Sequence, residues 1–119
     1  MKNVLVVDDE PDIRQLLKEV LGVKLKNVTI DVASDGVEAL NKIKTQQPDL
    51  LITDIYMPRI GGIELIEEIQ KLKLHFPIIV ISAFMNKISD LTLIKADAFV
   101  EKPLNLNKLC HTVENLFSS

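Results

Sequence analysis

The sequence has few of the residues that characterise several common classes of protein. It has one cysteine, Cys110, no tryptophan, and only 4% aromatic residues. A single cysteine excludes a disulfide framework within the chain, and the absence of a long apolar run argues against a membrane span. The first apolar run, Val4 to Val7, is too short for the core of a signal peptide. We therefore expect a reducing, cytoplasmic location.

Basic residues are also in the minority. The chain has 14 Lys and Arg against 17 Asp and Glu, a formal net charge of −3. The lysines are spread along the chain, and one tyrosine offers little for base stacking. These features predict a protein that does not bind nucleic acid directly.

The sequence does have the composition of an ordinary folded domain. Its 119 residues are 47% hydrophobic and 26% charged, which is enough to bury one core without disulfides. We expect a single domain over residues 1–119.

Short apolar runs alternate with amphipathic stretches. The predicted strands cover 3–8, 28–33, 49–54, 77–82 and 97–102. The predicted helices cover 11–23, 35–47, 63–73 and 106–117, and residues 84–95 are ambiguous. Strands that are apolar on both faces are typical of a covered parallel sheet. The pattern predicts a doubly wound (βα)5 α/β fold around five parallel strands.

The first helix shows the clearest periodicity. Its apolar residues recur at helical spacing, at Ile13, Leu16, Leu17, Val20 and Leu21. Pro11 suits the first turn of this helix, where its missing N–H costs nothing. The spacing therefore predicts a helix with one apolar face.

Polar residues stand at the ends of four of the predicted strands. Asp8 and Asp9 stand at the end of the first strand, Asp54 ends the third, Ser82 the fourth and Lys102 the fifth. In a parallel sheet these strand ends share one edge, where ligands bind at the point of strand-order reversal. We expect the five side chains to converge there.

The chemistry of that set favours a phosphoryl group. Three carboxylates in one cleft need a counter-charge, and Mg²⁺ prefers such oxygen ligands. With Lys102 and the Ser82 hydroxyl added, the set has the parts needed to move a phosphoryl group onto a carboxylate. Each residue also has a structural explanation: Asp8, Asp9 and Asp54 as caps or turn residues, Ser82 as a turn residue, Lys102 as a surface lysine. Their joint position favours the functional interpretation.

Four segments resemble the receiver domain of bacterial two-component response regulators, of the single-domain chemotaxis-regulator type. They are "VLVVDDE" (4–10), "LLITDIYMP" (50–58), "VISA" (80–83) and "VEKP" (100–103). The resemblance covers essentially the whole chain. It implies a flavodoxin-like strand order of 2-1-3-4-5 and a phosphorelay function in signal transduction. It also implies that the chain catalyses only its own phosphorylation and dephosphorylation.

The resemblance further implies roles for individual residues. Asp54 would be the phosphoacceptor. Asp8, Asp9, Asp54 and the backbone carbonyl of Tyr56 would hold Mg²⁺, with Mn²⁺ as a substitute. Ser82 and Lys102 would contact the phosphoryl group.

Other implied roles concern switching and partners. Phe99 and Ser82 would switch conformation, and the Lys102–Pro103 peptide would be cis. The phosphodonor would be a sensor histidine kinase or a histidine phosphotransfer protein, and a downstream protein would read the signal. The implied docking residues are Ile13, Arg14, Leu17, Lys18, Pro103 and Leu104. For Ile13 and Leu17 a place in the core is an equal alternative.

The chain departs from the family pattern around the site. The segment 84–95 is shorter than usual and contains weak helix formers, which predicts a short or mobile helix there. Tyr56 and Phe84 are bulky at the two positions that flank the hydrolytic water in that family. Both would slow loss of phosphate from the phosphorylated form. Glu10 we interpret as a residue of the helix start and not as a sure metal ligand.

Two other functions are less consistent with these residues. An aspartate-nucleophile phosphatase of similar fold needs an aspartate where Tyr56 stands. A nucleotide-binding domain needs a glycine-rich turn after the first strand, where this chain has three carboxylates.

Overall fold

The computed structural model describes residues 1–83 and 95–118. Within them lie five strands and four helices, and a helix follows each of the first three strands and the fifth. The strands are β1 (Lys2–Val7), β2 (Val28–Ala33), β3 (Leu50–Asp54), β4 (Ile78–Ser82) and β5 (Ala98–Glu101). The helices are α1 (Pro11–Lys24), α2 (Gly36–Thr45), α3 (Gly62–Lys71) and α4 (Leu106–Ser118). The predicted short helix in 84–95 lies almost wholly outside the described residues.

The five strands form one parallel sheet in the order β2-β1-β3-β4-β5. This confirms the predicted architecture and strand order. The order reverses between β1 and β3, which pair directly, with Val6 opposite Ile52. The crevice beyond the ends of β1 and β3 is therefore where a ligand is expected to bind.

Alternate residues of the central strands enter two separate cores. On one face, Val4 and Val6 pack with buried residues of α1 and α4, among them Leu21 and Leu109. On the other face, Leu5 packs with buried residues of α2 and α3. Since β1, β3 and β4 are covered on both faces, apolar side chains at nearly every position are what these strands require.

The apolar residues of α1 are buried to different extents. Leu17 and Leu21 are fully buried, whereas Leu16 is 40% exposed. Leu16 lies one residue before Leu17, about 100° around the helix, and so points away from the sheet. Leu16 therefore lies at the exposed margin of the apolar face that the spacing predicts.

Two helix starts agree with the sequence. Pro11 is the first residue of α1. Asp35 precedes α2 and accepts a hydrogen bond from the Glu38 N–H at 2.9 Å, a side-chain cap. Among the described residues, no helix has the length and apolarity needed to cross a membrane.

Candidate functional site

Four carboxylates gather where the strand order reverses. Oxygens of Asp8, Asp9, Glu10 and Asp54 all lie within 4.8 Å of one another. Asp8 and Asp54 are only 1% and 6% exposed, while Asp9 and Glu10 face solvent. The site thus combines two buried acids at the end of the sheet with two exposed acids at its rim.

The side chain of Lys102 reaches into this carboxylate cluster. Its Nζ lies 2.8 Å from Asp54 Oδ2, 3.3 Å from Asp8 Oδ2 and 3.3 Å from Glu10 Oε1. The backbone holds the lysine in place, because the Lys102 N–H extends the ladder between β4 and β5 by donating to the Ser82 carbonyl at 2.9 Å. One ammonium therefore serves three carboxylates.

The pKa values of this group reflect burial and charge together. Burial lowers the pKa of Lys102. The hydrogen bonds and negative charges of Asp54 and Asp8 raise this pKa by more, so the pKa of Lys102 lies above the usual lysine value. Burial raises the pKa of Asp8. The hydrogen bond from the Glu10 N–H and the charge of Lys102 lower this pKa, but their effect is smaller than that of burial. Asp8 is thus a carboxylate whose charge needs further compensation.

Asp54 is held by the chain that follows it. Its Oδ1 accepts a hydrogen bond from the Ile55 N–H at 2.7 Å, with the Tyr56 N–H at 3.4 Å. Its Oδ2 faces Lys102. The carboxylate is therefore oriented by its own backbone on one side and by a cation on the other.

Close approach of two chain segments makes glycine necessary beside Asp54. The Gly62 N–H donates to the Ile55 carbonyl at 2.8 Å. A Cβ on Gly62 would lie 2.2 Å from the Asp54 carbonyl oxygen, and one on Gly61 would lie 2.8 Å from the Ile55 oxygen. These distances are too short for any side chain, so both glycines allow the start of α3 to sit against the end of β3.

The donor set fits a hard divalent cation. All four acidic side chains offer oxygen, and the Lys102 ammonium pairs with three of them. Burial raises the pKa of Asp8, and a bound cation would favour the charged form of this carboxyl. Mg²⁺ suits such a site because it binds a few carboxylates and retains water.

Two more of the predicted residues lie on β4 and β5. Ser82 is fully buried at the end of β4, opposite Glu101 and next to Lys102 along the sheet edge. Phe99 on β5 is 38% exposed. The Lys102–Pro103 peptide is cis, as the resemblance implies.

The implied docking residues differ in how far they are exposed. Lys18 and Pro103 are exposed, and Arg14 donates to the Asp8 carbonyl at 2.7 Å. Ile13 and Leu104 are half-buried against the core on the α1 side. Leu17 is fully buried, so its prediction as a docking residue is corrected: it packs in the core and offers no surface to a partner. Phe84 lies outside the described residues.

The sequence alone did not predict that Glu10 belongs to the charge cluster of the site. Glu10 does occupy the position before α1, but its side chain makes no cap hydrogen bond and instead pairs with Lys102. The unbroken run of three acids after β1 is the signal that could have placed Glu10 in the site.

A family model described as the response regulator receiver domain matches residues 4–114. The chain belongs to the response regulator receiver domain family. This match runs from within β1 to within α4, so it includes every residue of the carboxylate–lysine cluster.

Curated relatives share this receiver domain within longer proteins. The alkaline phosphatase synthesis transcriptional regulatory protein PhoP of Bacillus subtilis is 37% identical over 107 residues, which is 87% of this chain and 43% of that protein. The probable C4-dicarboxylate response regulator DctR of the same organism is 34% identical over 93% of this chain and 50% of its own length. The chain thus spans about half the length of these relatives.

Solved receiver structures superpose over almost the entire chain. The response regulator TrrA of Thermotoga maritima, in a complex with Mg²⁺ and BeF, is 45% identical with a TM-score of 0.87, covering 98% of this chain and 99% of that one. TrrA in complex with the histidine kinase ThkA is 44% identical, with a TM-score of 0.84 and 98% of both chains covered. The chemotaxis protein CheY4 of Vibrio cholerae is 28% identical, with a TM-score of 0.86 and 98% of both chains covered.

Proposed function

We propose that Asp54 accepts a phosphoryl group from a phosphohistidine of a partner protein and that the phosphorylated domain then signals through protein contacts. The observation that carries this proposal is the nearly buried Asp54 carboxylate, which lies 2.8 Å from Lys102 within the acidic cluster. The kinase complex and the Mg²⁺–BeF complex of TrrA support it by similarity.

The transfer forms one bond and breaks another. A carboxylate oxygen of Asp54 attacks phosphorus, and the P–N bond of the phosphohistidine breaks. The electron pair of that bond stays on the imidazole nitrogen. The ring leaves as a neutral imidazole because its other nitrogen carries a proton, and Asp54 becomes an acyl phosphate. Mg²⁺ held by Asp8, Asp9, Asp54 and the Tyr56 carbonyl would supply positive charge against the phosphoryl oxygens.

Lys102 and Ser82 are proposed to stabilise the transferred group. The Lys102 ammonium already lies beside Asp54 Oδ2, so it can pair with a phosphoryl oxygen after a small movement. The Ser82 hydroxyl would donate a hydrogen bond to another oxygen. Because Lys102 follows β5, a change in its partners can alter the position of β5 and of Phe99, which is how the signal would reach the surface.

Docking of the phosphodonor is proposed on the surface beside the site. Lys18 and Pro103 are exposed there, and Arg14 links α1 to the backbone of Asp8. A sensor histidine kinase or histidine phosphotransfer protein bound to this surface would bring its phosphohistidine near Asp54.

The proposal is tested by phosphorylation in the absence of a partner. Acetyl phosphate with Mg²⁺ should add one phosphoryl group to the chain, measured as a mass increase of the intact protein. Asp54→Ala should abolish the increase, EDTA should prevent it, and Asp31→Ala, an exposed carboxylate on β2, should leave it unchanged. A mass increase that survives Asp54→Ala would contradict the proposal. Sustained turnover of a phosphate ester would contradict a role limited to self-phosphorylation.

We further propose that Tyr56 slows loss of the phosphoryl group, together with Phe84. The Tyr56 side chain is 55% exposed, two residues after Asp54, where its bulk can hinder the approach of water. Tyr56→Asn should speed phosphate release from the purified phosphoprotein severalfold, and Phe84→Ala should act in the same direction. Tyr56→Phe retains the ring and serves as the control. Equal rates for the Asn and Phe variants would show that bulk at residue 56 has no effect.

A further inference from the structure

The loop between β3 and α3, residues 55–61, is attached to the start of α2. The Arg59 Nε lies 3.2 Å from Asp35 Oδ2, and its Nη2 lies 3.5 Å from Asp35 Oδ1, a two-pronged ion pair. Beside it, the Gly36 N–H donates to the Ile60 carbonyl at 3.1 Å. We call these four residues, Asp35, Gly36, Arg59 and Ile60, the loop latch.

The α2 side of the loop latch is fixed by helix structure. The Asp35 side chain is only 14% exposed and also caps α2 by accepting from the Glu38 N–H. Gly36 is buried, and a Cβ there would lie 2.4 Å from the Ile60 carbonyl oxygen. The close contact between α2 and the loop therefore depends on glycine at this position.

The loop side shows an unfavourable backbone conformation. Arg59 has a φ of 68°, in the left-handed region that is unfavourable for a residue with a side chain. Such a conformation persists when surrounding contacts hold it, and residues with this strain cluster at functional sites. Here the ion pair to Asp35 and the neighbouring Ile60–Gly36 hydrogen bond are the holding contacts.

The loop is also fixed at its base, beside Asp54. The Gly62 N–H donates to the Ile55 carbonyl, and the Ile55 N–H donates to Asp54 Oδ1. Tyr56 lies between this base and the latched tip of the loop. The position of its backbone relative to the carboxylate cluster is consequently controlled from both sides.

We propose that Asp35 and Arg59 are positioning residues that set the cation affinity of the site by holding the 55–61 loop. The proposal rests on the proposed function in taking the Tyr56 carbonyl as a metal ligand. A free loop would have to be ordered when the cation binds, and that entropy cost would weaken binding.

Tyr56 itself provides the measurement. It is the only tyrosine and the chain has no tryptophan, so intrinsic emission reports on the loop beside Asp54. Titration with MgCl₂ should give a Kd about three- to fivefold higher for Asp35→Asn and for Arg59→Gln than for the unaltered chain, the range of an exposed ion pair. Asparagine still caps α2, so the helix is retained. The double variant should be no weaker than either single variant.

Two controls separate positioning from general stability. Asp31→Asn breaks another ion pair of α2, with Lys42 Nζ at 3.0 Å, and should leave the Kd unchanged. Arg59→Lys keeps the charge and should restore part of the affinity. Amide hydrogen exchange over 55–61 in the metal-free protein should be faster in Asp35→Asn and Arg59→Gln and unchanged in Asp31→Asn.

The Kd for Mg²⁺ and the exchange rates of the variants decide whether the loop latch sets cation affinity. An unchanged Kd in both latch variants would overturn the proposal, whatever the exchange result, and would leave Asp35–Arg59 as a surface ion pair without a role in cation binding. An equal rise in Kd for Asp31→Asn would overturn it as well. If Asp54 failed to accept a phosphoryl group, the exchange result would still stand, so failure of the latch and failure of the proposed function are distinguishable.

Discussion

Lys102 is the cation on which the charge balance of this site depends. It is the ion-pair partner of Asp8, Glu10 and Asp54, and its side chain is only 15% exposed. Its pKa is raised above the usual lysine value by the carboxylates around it. The stabilisation it provides is therefore fully present at neutral pH, and is lost only as the pH rises through that raised value.

Replacing Lys102 with methionine should destabilise the metal-free protein. Asp8 and Asp54 would remain buried side by side without a cation, and we expect the free energy of unfolding at pH 7 to fall by about 1–3 kcal/mol. Mg²⁺ should reduce this loss because it replaces the missing charge. Urea unfolding with and without Mg²⁺ measures both effects. Lys71→Met removes an exposed ion pair with Glu68 and is the control; an equal loss in that variant would contradict the expectation.

Helices α1 and α3 contain glycines with opposite requirements. Gly22, inside α1, has no atom within 4 Å of the place where a Cβ would stand. Gly62, the first residue of α3, has the Asp54 carbonyl oxygen 2.2 Å from that place. A side chain would therefore fit at Gly22 but not at Gly62, where α3 packs closely against the end of β3.

This contrast predicts stability changes of opposite sign. Gly22→Ala should stabilise the protein by about 0.5–1 kcal/mol, because alanine loses less backbone entropy in a helix. Gly62→Ala should destabilise it by at least about 1–3 kcal/mol, because its methyl group cannot fit without moving β3 or α3. Thermal unfolding of the two variants checks both signs. A stable Gly62→Ala protein that binds Mg²⁺ normally would show that the contact can relax.

Across the whole molecule, the parallel sheet brings distant parts of the chain into one site. Lys102 and Asp8 are 94 positions apart and yet form an ion pair. The strand order places β1 and β3 side by side, and β4 and β5 follow on the β3 side. Folding therefore gathers charges of like sign, and a bound cation should stabilise the folded chain as a whole.

Mg²⁺ should raise the stability of the protein by mass action. At ten times its Kd, a cation that binds only the folded state adds about 1.4 kcal/mol to the free energy of unfolding. Differential scanning fluorimetry or urea unfolding across a Mg²⁺ titration measures this gain. Asp9→Asn, a change at the exposed rim of the site, should diminish it. A gain of the same size in Asp9→Asn would exclude Asp9 as a ligand.

Much of this arrangement could be read from single residues. Runs of apolar residues ending in Asp8, Asp54, Ser82 or Lys102 indicated both the strands and the edge at which they end. Helix faces were harder to assign: Leu16 is exposed and Leu17 is buried, because periodicity defines a stripe but not its exact limits. The loop latch had no sequence signal, since Asp35 and Arg59 are common surface residues that meet only after folding.

The sequence by itself determined the strand and helix periods, and with them a covered parallel sheet whose polar residues share one edge. Local chemistry suffices for this because apolar runs must be buried and each strand end must leave the sheet. The tertiary structure alone decided how charge is shared: that Glu10 turns to Lys102, that Asp8 is buried with a raised pKa, and that Arg59 holds the loop. Those properties depend on distances between separate segments, which only packing sets.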